Sequence, residues 1–366
     1  MAETSVADSA LRRWLDIQSI RNVLAIHSRG IDRADSDLLR SAYHPDAEVA
    51  YGFFDGPAAE LCEIMGNPSE QITMHRTSNM WIRLLDDDHA ISESYAFVYS
   101  ESADDAGYGQ ALIGGRYLDR HEKRGGEWRI SHRTYVLEWN ANWPGTGTVL
   151  PDYESPINRR GSKTPDDLGT RLLKESQQIL TSGDATMTIP ENLEAAVTDA
   201  LARQDIHDLI MAQARATDRR DRALLESVFH EGATMDAGGL FDGPAPEYCD
   251  FILEMTAPLK KMYHSVANEW IRVEGDSGVA ESYVIAFTTS EDEAGGDVDS
   301  LSGGRYLDRF ERREGVWKFT HRAYVMDWTM HQPTTDQSDD PESMYASLTN
   351  RGGHWPDDPV YGLWGK

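Results

Sequence analysis

The chain has 366 residues, of which 40% are hydrophobic and 27% charged, a balance typical of a water-soluble protein with two or three domains. Acidic residues outnumber Lys and Arg by 62 to 35, and the net charge of −27 argues against a partner with a phosphate backbone or an anionic membrane surface. No apolar run approaches about 18 residues, and the polar first ten residues do not resemble a secretory signal. We therefore expect a cytoplasmic protein without a membrane segment.

The first part of the chain predicts helices followed by strands. Apolar residues at roughly helical spacing predict a first helix that ends near Asp32, and two shorter helices are expected over 37–43 and 58–65. Four strand-like runs follow, at 73–85, 89–100, 110–121 and 127–139. This order indicates an α+β domain with a curved, mostly antiparallel sheet. Helices on the concave side of such a sheet would leave a cone with an apolar pocket.

The same unit then occurs a second time. Gly-Gly-Arg-Tyr-Leu-Asp-Arg is found at 114–120 and again at 303–309, and Phe-Asp-Gly-Pro-Ala is found at 54–58 and 241–245. The offset between equivalent residues stays between 186 and 189. A period of this length corresponds to a whole domain rather than to a solenoid repeat, so the sequence predicts a tandem duplication.

A polar tail follows the strands in both units. Asn-Arg-Xaa-Gly and then Pro-Asp-Asp occur at 158–167 and at 350–358. We therefore predict a first domain over 10–180 and a second over 190–366, each with a C-terminal arm, with the boundary in the polar stretch 181–188. The two domains are expected to pack sheet against sheet as an internal pseudo-dimer, and further homo-oligomerisation stays open.

The common cofactor and metal motifs are missing from the sequence. It contains no phosphate-binding loop, complete GxGxxG, HExxH or GxSxG motif. Only two cysteines are present, Cys62 and Cys249, at equivalent places in the third helix of each unit. They are too few for a multi-cysteine zinc site, and we expect buried free thiols rather than a disulfide. The sequence thus predicts neither a cofactor nor a metal ion.

Three residues that can carry chemistry recur in both units. They are an Asp at the end of the first helix, a His at the start of the first long strand and an Arg in the last strand: Asp32, His75 and Arg133, then Asp218, His264 and Arg322. A carboxylate that holds one ring nitrogen of a histidine leaves the other nitrogen basic and stabilises the imidazolium. The alternative is a local ion pair between Asp32 and Arg33 beside a core histidine.

Several motifs taken together resemble the SnoaL-like proteins of the nuclear-transport-factor-2-like superfamily, and both units share the resemblance. The motifs are Asp-Arg-Xaa-Asp, His-Pro-Asp-Ala, His-Xaa-Xaa-Xaa-Asn, Gly-Arg-Tyr-Leu-Asp-Arg and His-Arg-Thr-Tyr. The resemblance implies two tandem cone-shaped α+β domains. Its relatives include scytalone dehydratase, dehydrochlorinases, ketosteroid isomerase, lignin-catabolic lyases that release formaldehyde, and non-catalytic members.

The resemblance also implies roles for the recurring residues. In the dehydratase and dehydrochlorinase branch an Asp–His dyad removes a proton while a leaving group departs, which matches Asp32 with His75 and Asp218 with His264. An arginine late in the sheet assists the leaving group in such relatives, and its counterparts here are Arg133 and Arg322.

Aromatic residues around the expected pocket predict a largely apolar, aromatic ligand. Tyr51 is expected to donate a hydrogen bond to developing negative charge. The candidate substrate contacts are Phe53, Trp81, Tyr95 and Tyr99 in the first unit and Tyr263, Trp270 and Tyr283 in the second. Ordinary core packing is the alternative for most of them. Because Tyr51 is replaced by Gly238 in the second unit, one pocket or both could be active.

The function expected from the sequence is that of a cofactor-independent lyase. Its histidine would abstract a proton from a small hydrophobic substrate, and water, halide or formaldehyde would leave. An isomerase or hydrolase on the same scaffold is the enzymatic alternative, and a non-catalytic small-molecule-binding module is the other.

Overall fold

The structure, a computed structural model, describes residues 6–67, 71–104, 107–144, 163, 167 and 193–365. The first unit contains α1 (Val6–Asp32), α2 (Ser36–Ser41), β1 (Tyr43–Ala50), β2 (Asp55–Pro57), α3 (Ala58–Met65), β3 (Ile72–Leu84), β4 (His89–Asp104), β5 (Gly107–Arg124) and β6 (Glu127–Pro144). The second unit contains α4 (Leu193–Arg219), α5 (Arg222–Ser227), β7 (Phe229–Asp236), β8 (Asp242–Pro244), α6 (Ala245–Thr256), β9 (Lys261–Glu274), β10 (Ser277–Glu291), β11 (Asp297–Arg313) and β12 (Val316–Pro333). A C-terminal arm, residues 334–365, ends in α7 (Pro359–Trp364).

Each unit forms its own six-stranded sheet, and the two strand orders are equivalent. The first is β2-β1-β6-β5-β4-β3 and the second is β8-β7-β12-β11-β10-β9. The four long strands of each sheet are antiparallel, whereas β1 lies parallel to β6 and β7 lies parallel to β12. The predictions of an α+β class and of a duplicated fold are therefore confirmed, with mixed sheets that stay open.

The predicted elements agree with the structure except near the start of each sheet. The first helix ends at Asp32 and the third spans Ala58–Met65, as predicted. The second helix ends at Ser41, because the chain enters β1 at Tyr43, a strand that the sequence did not indicate. Pro45 explains the missed strand, since proline cannot donate to a ladder and the pairing of β1 with β6 is irregular there.

Two other sequence predictions have different outcomes. Cys62 and Cys249 are both free and buried, as expected, and burial raises the pKa of each thiol to about 11. The proposed boundary at 181–188 and most of the first arm, 158–167, lie outside the described residues. The domain limits therefore remain predictions.

The C-terminal arm leaves the second unit and packs on the first. Tyr345 and Leu348 enter the core of the first unit. The side chains of α7 cover the outer face of the first sheet, where Val360, Tyr361 and Trp364 pack on Ile91, Leu118 and Val136. The arm passes Gly52 so closely that a Cβ there would collide with the backbone of Ser347 and Thr349. The corresponding face of the second sheet is exposed, and 67% of Trp270 is accessible.

We predict that the packing of α7 on the first sheet contributes strongly to stability. The Trp364 ring lies 4.5 Å from Trp81 and 4.2 Å from the guanidinium of Arg215. Because a buried Trp is removed, Trp364→Ala should lower the free energy of unfolding by about 3 kcal/mol or more. Trp270→Ala, at the exposed counterpart of Trp81, should change it by about 0.5 kcal/mol or less. Urea unfolding followed by circular dichroism measures both, and equal losses would contradict the assigned role of α7.

Candidate functional site

Asp32 and His75 meet where α1 ends beside β3. His75 Nδ1 lies 2.7 Å from Asp32 Oδ1, and the His75 backbone N–H donates to Oδ2 at 2.8 Å. Thr73 Oγ1 donates to Oδ1 at 2.9 Å. Burial alone would raise the pKa of Asp32, but the hydrogen bonds and charge of His75 lower it below its usual value. An ionised Asp32 keeps the proton on Nδ1, so the lone pair of His75 lies on Nε2.

The second unit repeats the dyad with one different donor. His264 Nδ1 lies 2.6 Å from Asp218 Oδ1, and its backbone N–H donates to Oδ2 at 3.0 Å. Met262 occupies the place of Thr73 and has no hydroxyl. The third donor is instead Tyr95 of the first unit, whose hydroxyl lies 2.9 Å from Asp218 Oδ2. The second dyad is therefore completed across the interface between the units.

Asn79 of the first unit also fixes the strand that carries His264. Its Nδ2 donates to the His264 carbonyl at 2.8 Å, and its Oδ1 accepts from the Val266 N–H at 2.6 Å. Asn79 has a φ of 46° at the bulge in β3, which turns its side chain towards β9. The adjacent Ser78 and Ser265 hydroxyls lie 2.8 Å apart. Four polar contacts thus tie the first unit to the second dyad.

The first dyad lines a groove, whereas only Asp218 of the second dyad lines a pocket. A groove of about 320 Å³ opens at the first dyad, with the lining residues Ala25, Ser28, Arg29, Asp32, Arg33, His75, Thr77 and Met80. A pocket of about 200 Å³ opens at Asp218 and lies between β6, the end of α4, the start of β9 and the C-terminal arm. Larger grooves occur on the surface of the second unit, away from both dyads.

The structure does not place the predicted arginines against the dyads. Arg133 is fully buried and forms a bidentate ion pair with Asp119 at 2.6 and 2.7 Å. Its guanidinium lies 4.0 Å from the Tyr117 ring, and its Nη1 has no partner in the described part of the chain. Tyr51 is buried in the same interior, with its hydroxyl 3.5 Å from His27 Nε2.

Arg322 repeats this arrangement, but each of its three guanidinium nitrogens has a partner. It forms a bidentate pair with Asp308 at 2.7 and 2.8 Å, and Nη1 donates to Gln213 at 2.5 Å. Gln213 occupies the place of His27 in the first unit. The pKa of His27 is well below its usual value, first because of burial and then because Arg133 and His75 are both near. The dyad and the arginine of the first unit are therefore both close to His27 in the interior of that unit.

The predicted substrate contacts have scattered positions. His75 pairs with Val98, so both lie on the inner face of the sheet, whereas Tyr95 and Tyr99 lie on the outer face. Trp81 packs between Arg215 and Trp364 on that outer face. Because side chains alternate between the two faces of a strand, Trp81, Tyr95 and Tyr99 do not surround the dyad of their own unit, contrary to the sequence prediction.

The remaining aromatic candidates follow the same pattern. Tyr263 is buried at the interface, 4.9 Å from the Tyr95 ring. Trp270 and Tyr283 are exposed by 67% and 47% on the outer face of the second sheet. Phe53 is partly exposed, and its ring lies 5.6 Å from that of Tyr51. None of the predicted substrate contacts therefore lies in the interior of the first unit, although Phe53 contacts the buried Tyr51 from the surface.

Sequence reasoning missed Thr73, Asn79 and Arg219 as parts of the two sites, and it gave Tyr95 a different role. The exchange of Thr73 for Met262 two residues before the histidine was a usable signal, because it removes a donor from only one copy.

The described residues contain no cluster of three or more His, Cys, Asp or Glu that could hold a metal ion. No helix among them is long and apolar enough to cross a membrane.

We predict that Tyr95 tunes the second dyad alone. In Tyr95→Phe the Asp218 carboxylate loses one donor, so its pKa, which is lowered in the folded protein, should rise. The stability that this ionised group contributes should then be lost at a higher pH as the solution is acidified.

Carboxyl ¹³C NMR measures this effect, with Asp218→Asn and Asp32→Asn used for assignment. Tyr283→Phe, the equivalent change in the second unit, is the matched control and should leave Asp32 and Asp218 unchanged. An Asp218 titration that is identical in Tyr95→Phe and the wild type would contradict the prediction.

Comparison with known proteins identifies the domain type. The family profile described as SnoaL-like domain matches residues 12–134 and 198–323. Among curated proteins, none matches the chain. Similar solved structures include hexachlorocyclohexane dehydrochlorinase LinA-type3 from Novosphingobium barchaimii, 22% identical, over 36% of this chain and 90% of that one, with a TM-score of 0.33. Another is Kfla4162 from Kribbella flavida, 17% identical, over 37% and 95% of the two chains, with a TM-score of 0.33. Because the profile matches both units and covers more than half of the chain, the chain belongs to the SnoaL-like domain family.

Proposed function

We propose that the protein is a cofactor-independent lyase that removes a proton from a small, largely apolar molecule and expels a leaving group. The observation that carries the proposal is the dyad: in both units a buried aspartate holds Nδ1 of a histidine at 2.6–2.7 Å and also accepts its backbone N–H. This arrangement fixes the tautomer and leaves Nε2 as the base.

In the proposed reaction His75 Nε2 accepts the substrate proton. For halide or water, the electron pair of the broken C–H bond forms a new double bond as halide or hydroxide departs with its bonding pair, and the imidazolium returns its proton to a departing hydroxide. For formaldehyde, the proton comes from the O–H of a hydroxymethyl group, the O–H pair forms the new C=O bond, and the pair of the broken C–C bond stays on the rest of the substrate. Asp32 does not accept the proton but stabilises the imidazolium at 2.7 Å. Water, halide and formaldehyde remain the candidate leaving groups. General base catalysis of this kind contributes a factor of about 10² to 10⁴ in rate.

We assign the main elimination site to the first unit. Arg133 Nη1 is a buried donor without a partner in the described chain, and Tyr51 lies in the same interior. Both are proposed to stabilise negative charge as it develops. In the second unit Gln213 already accepts the equivalent proton of Arg322. Because Ala50 and Asp236 have equivalent partners in β6 and β12, Ala237 rather than the expected Gly238 occupies the place of Tyr51 and has no hydroxyl. The interior of the second unit is therefore less suited to the same task.

The dyad is tested by changing its base and its carboxylate. His75→Ala should lower kcat by about 10² to 10⁴ with a smaller effect on KM, because proton transfer occurs only in the transition state. Asp32→Asn should be nearly as harmful, and the double variant should be no worse than His75→Ala, since the two act as one unit. Turnover of β-hydroxy, β-chloro and hydroxymethyl aromatic compounds provides the assay.

The chain supplies a matched control for this test. His89 Nδ1 also lies 2.9 Å from an aspartate, Asp86, but on the surface, where 57% of the histidine side chain is exposed. His89→Ala should keep full activity. Folded His75→Ala and His264→Ala proteins that both retain wild-type turnover would exclude the dyad mechanism. A wild-type protein that binds these compounds and turns over none of them would instead favour a non-catalytic binding protein.

We also predict that turnover survives exhaustive chelation, because the dyad itself supplies the base. Activity should be equal before and after dialysis against EDTA, measured on the same preparation. Loss of turnover that one specific metal restores would contradict the cofactor-independent mechanism.

A further inference from the structure

The pocket beside Asp218 is built from three parts of the chain. Glu138 comes from the first unit, Asp218 and Arg219 from the end of α4, and the rest from the start of β9 and the C-terminal arm. Its volume is about 200 Å³. The pocket therefore exists only when both units and the arm are in place, and the elimination site of the first unit does not include it.

Arg219 is the least satisfied group in this pocket. It is 2% exposed, and its Nη1 donates to Glu138, Gly353 and Asp358 at 3.0–3.1 Å. Its Nε and Nη2 are buried and have no partner within the described residues. Buried guanidinium N–H groups are costly to leave unpaired, so this edge is expected to meet a ligand or water.

The two free nitrogens define what the edge can bind. Nε and Nη2 present parallel N–H donors in one plane, which match the two oxygens of a single carboxylate. A carbonyl or hydroxyl oxygen can accept only part of this fork. The unpaired side of Arg219 therefore selects for a planar anion over a neutral polar group.

Unpaired donors, rather than a surplus of positive charge, favour an anion in this pocket. Of the four cationic side chains in the lining, Arg219 pairs with Glu138 and Asp358, and Lys260 and Lys261 pair with carboxylates outside the lining. Arg351 Nη1 is a second buried donor without a partner in the described part of the chain.

We propose that this pocket binds the carboxylate of a small organic acid on the Nε–Nη2 edge of Arg219, next to the Asp218–His264 dyad. This rests on the proposed function in that it names a carboxylate-bearing substrate or product for the second dyad. The binding itself does not depend on catalysis, because none of the carboxylate contacts involves His264.

Benzoate and benzamide are the probes, since they share a shape but only benzoate is charged. Isothermal titration calorimetry should show benzoate binding to the full chain at least tenfold more tightly than benzamide. Arg219→Lys keeps a positive charge near Glu138 and Asp358 but loses the fork, and it should weaken benzoate binding at least tenfold. Arg305→Lys, at a partly exposed arginine that pairs with Glu281 and Asp327 away from both dyads, is the control and should bind benzoate as the wild type does.

A second measurement is made on the wild-type protein, and a variant is needed only to assign the resonance. In wild-type protein labelled with ¹⁵N-arginine, benzoate should shift the Arg219 Nε–H resonance, which Arg219→Lys identifies even at low yield. An unshifted resonance at saturating benzoate, equal affinity for benzamide, or displacement of benzoate by equimolar inorganic phosphate would overturn the carboxylate assignment. His264→Ala should still bind benzoate, so failure of the catalytic proposal and failure of this one give different results.

Discussion

A buried cluster of alternating charges holds the two units and the arm together. Arg116, which is fully buried, contacts Glu93 at 2.7 Å, Glu138 at 2.5 Å and Asp358 at 2.6 Å. Arg215 and Arg219 complete the cluster through Glu93, Glu138 and Asp358. Ions can be buried at this density only when each has a partner, and removing one partner of such a pair typically costs about 3–5 kcal/mol. The cluster therefore fixes the end of α4, and with it the second dyad.

The repeated motifs predict the fold and both dyads, because they lie at positions where backbone geometry or a buried charge pair limits the choice of residue. The Arg of the repeated Gly-Arg-Tyr-Leu-Asp-Arg motif illustrates this, since Arg116 and Arg305 both form ion pairs with two acidic residues of their own unit. The sequence could not show which sheet face Trp81 occupies, because the bulge at Asn79 changes the alternation within β3. It also gave no indication that an arm from one unit would cover the other.

Identical residues of the two copies differ in burial where the units meet. Arg116 is completely buried under the arm, whereas its counterpart Arg305 is about one-third exposed, with Glu281 and Asp327 as partners. Tyr95 is 1% exposed and bonded to Asp218, whereas its counterpart Tyr283 is 47% exposed. Equivalent sequence positions thus acquire different chemistry because the structure buries one copy and exposes the other.

The third donor to each dyad carboxylate differs between the two units. An aspartate that accepts hydrogen bonds only from its own histidine would have a higher pKa. It would then take the Nδ1 proton of the histidine more easily. The first unit meets this need with Thr73 on the same strand, while the second has Met262 there and depends on Tyr95 from its neighbour. Both carboxylates therefore accept a third hydrogen bond, from within the unit in one case and from the neighbouring unit in the other. Because the two units belong to one chain, the donor from the neighbouring unit is always present beside the second dyad.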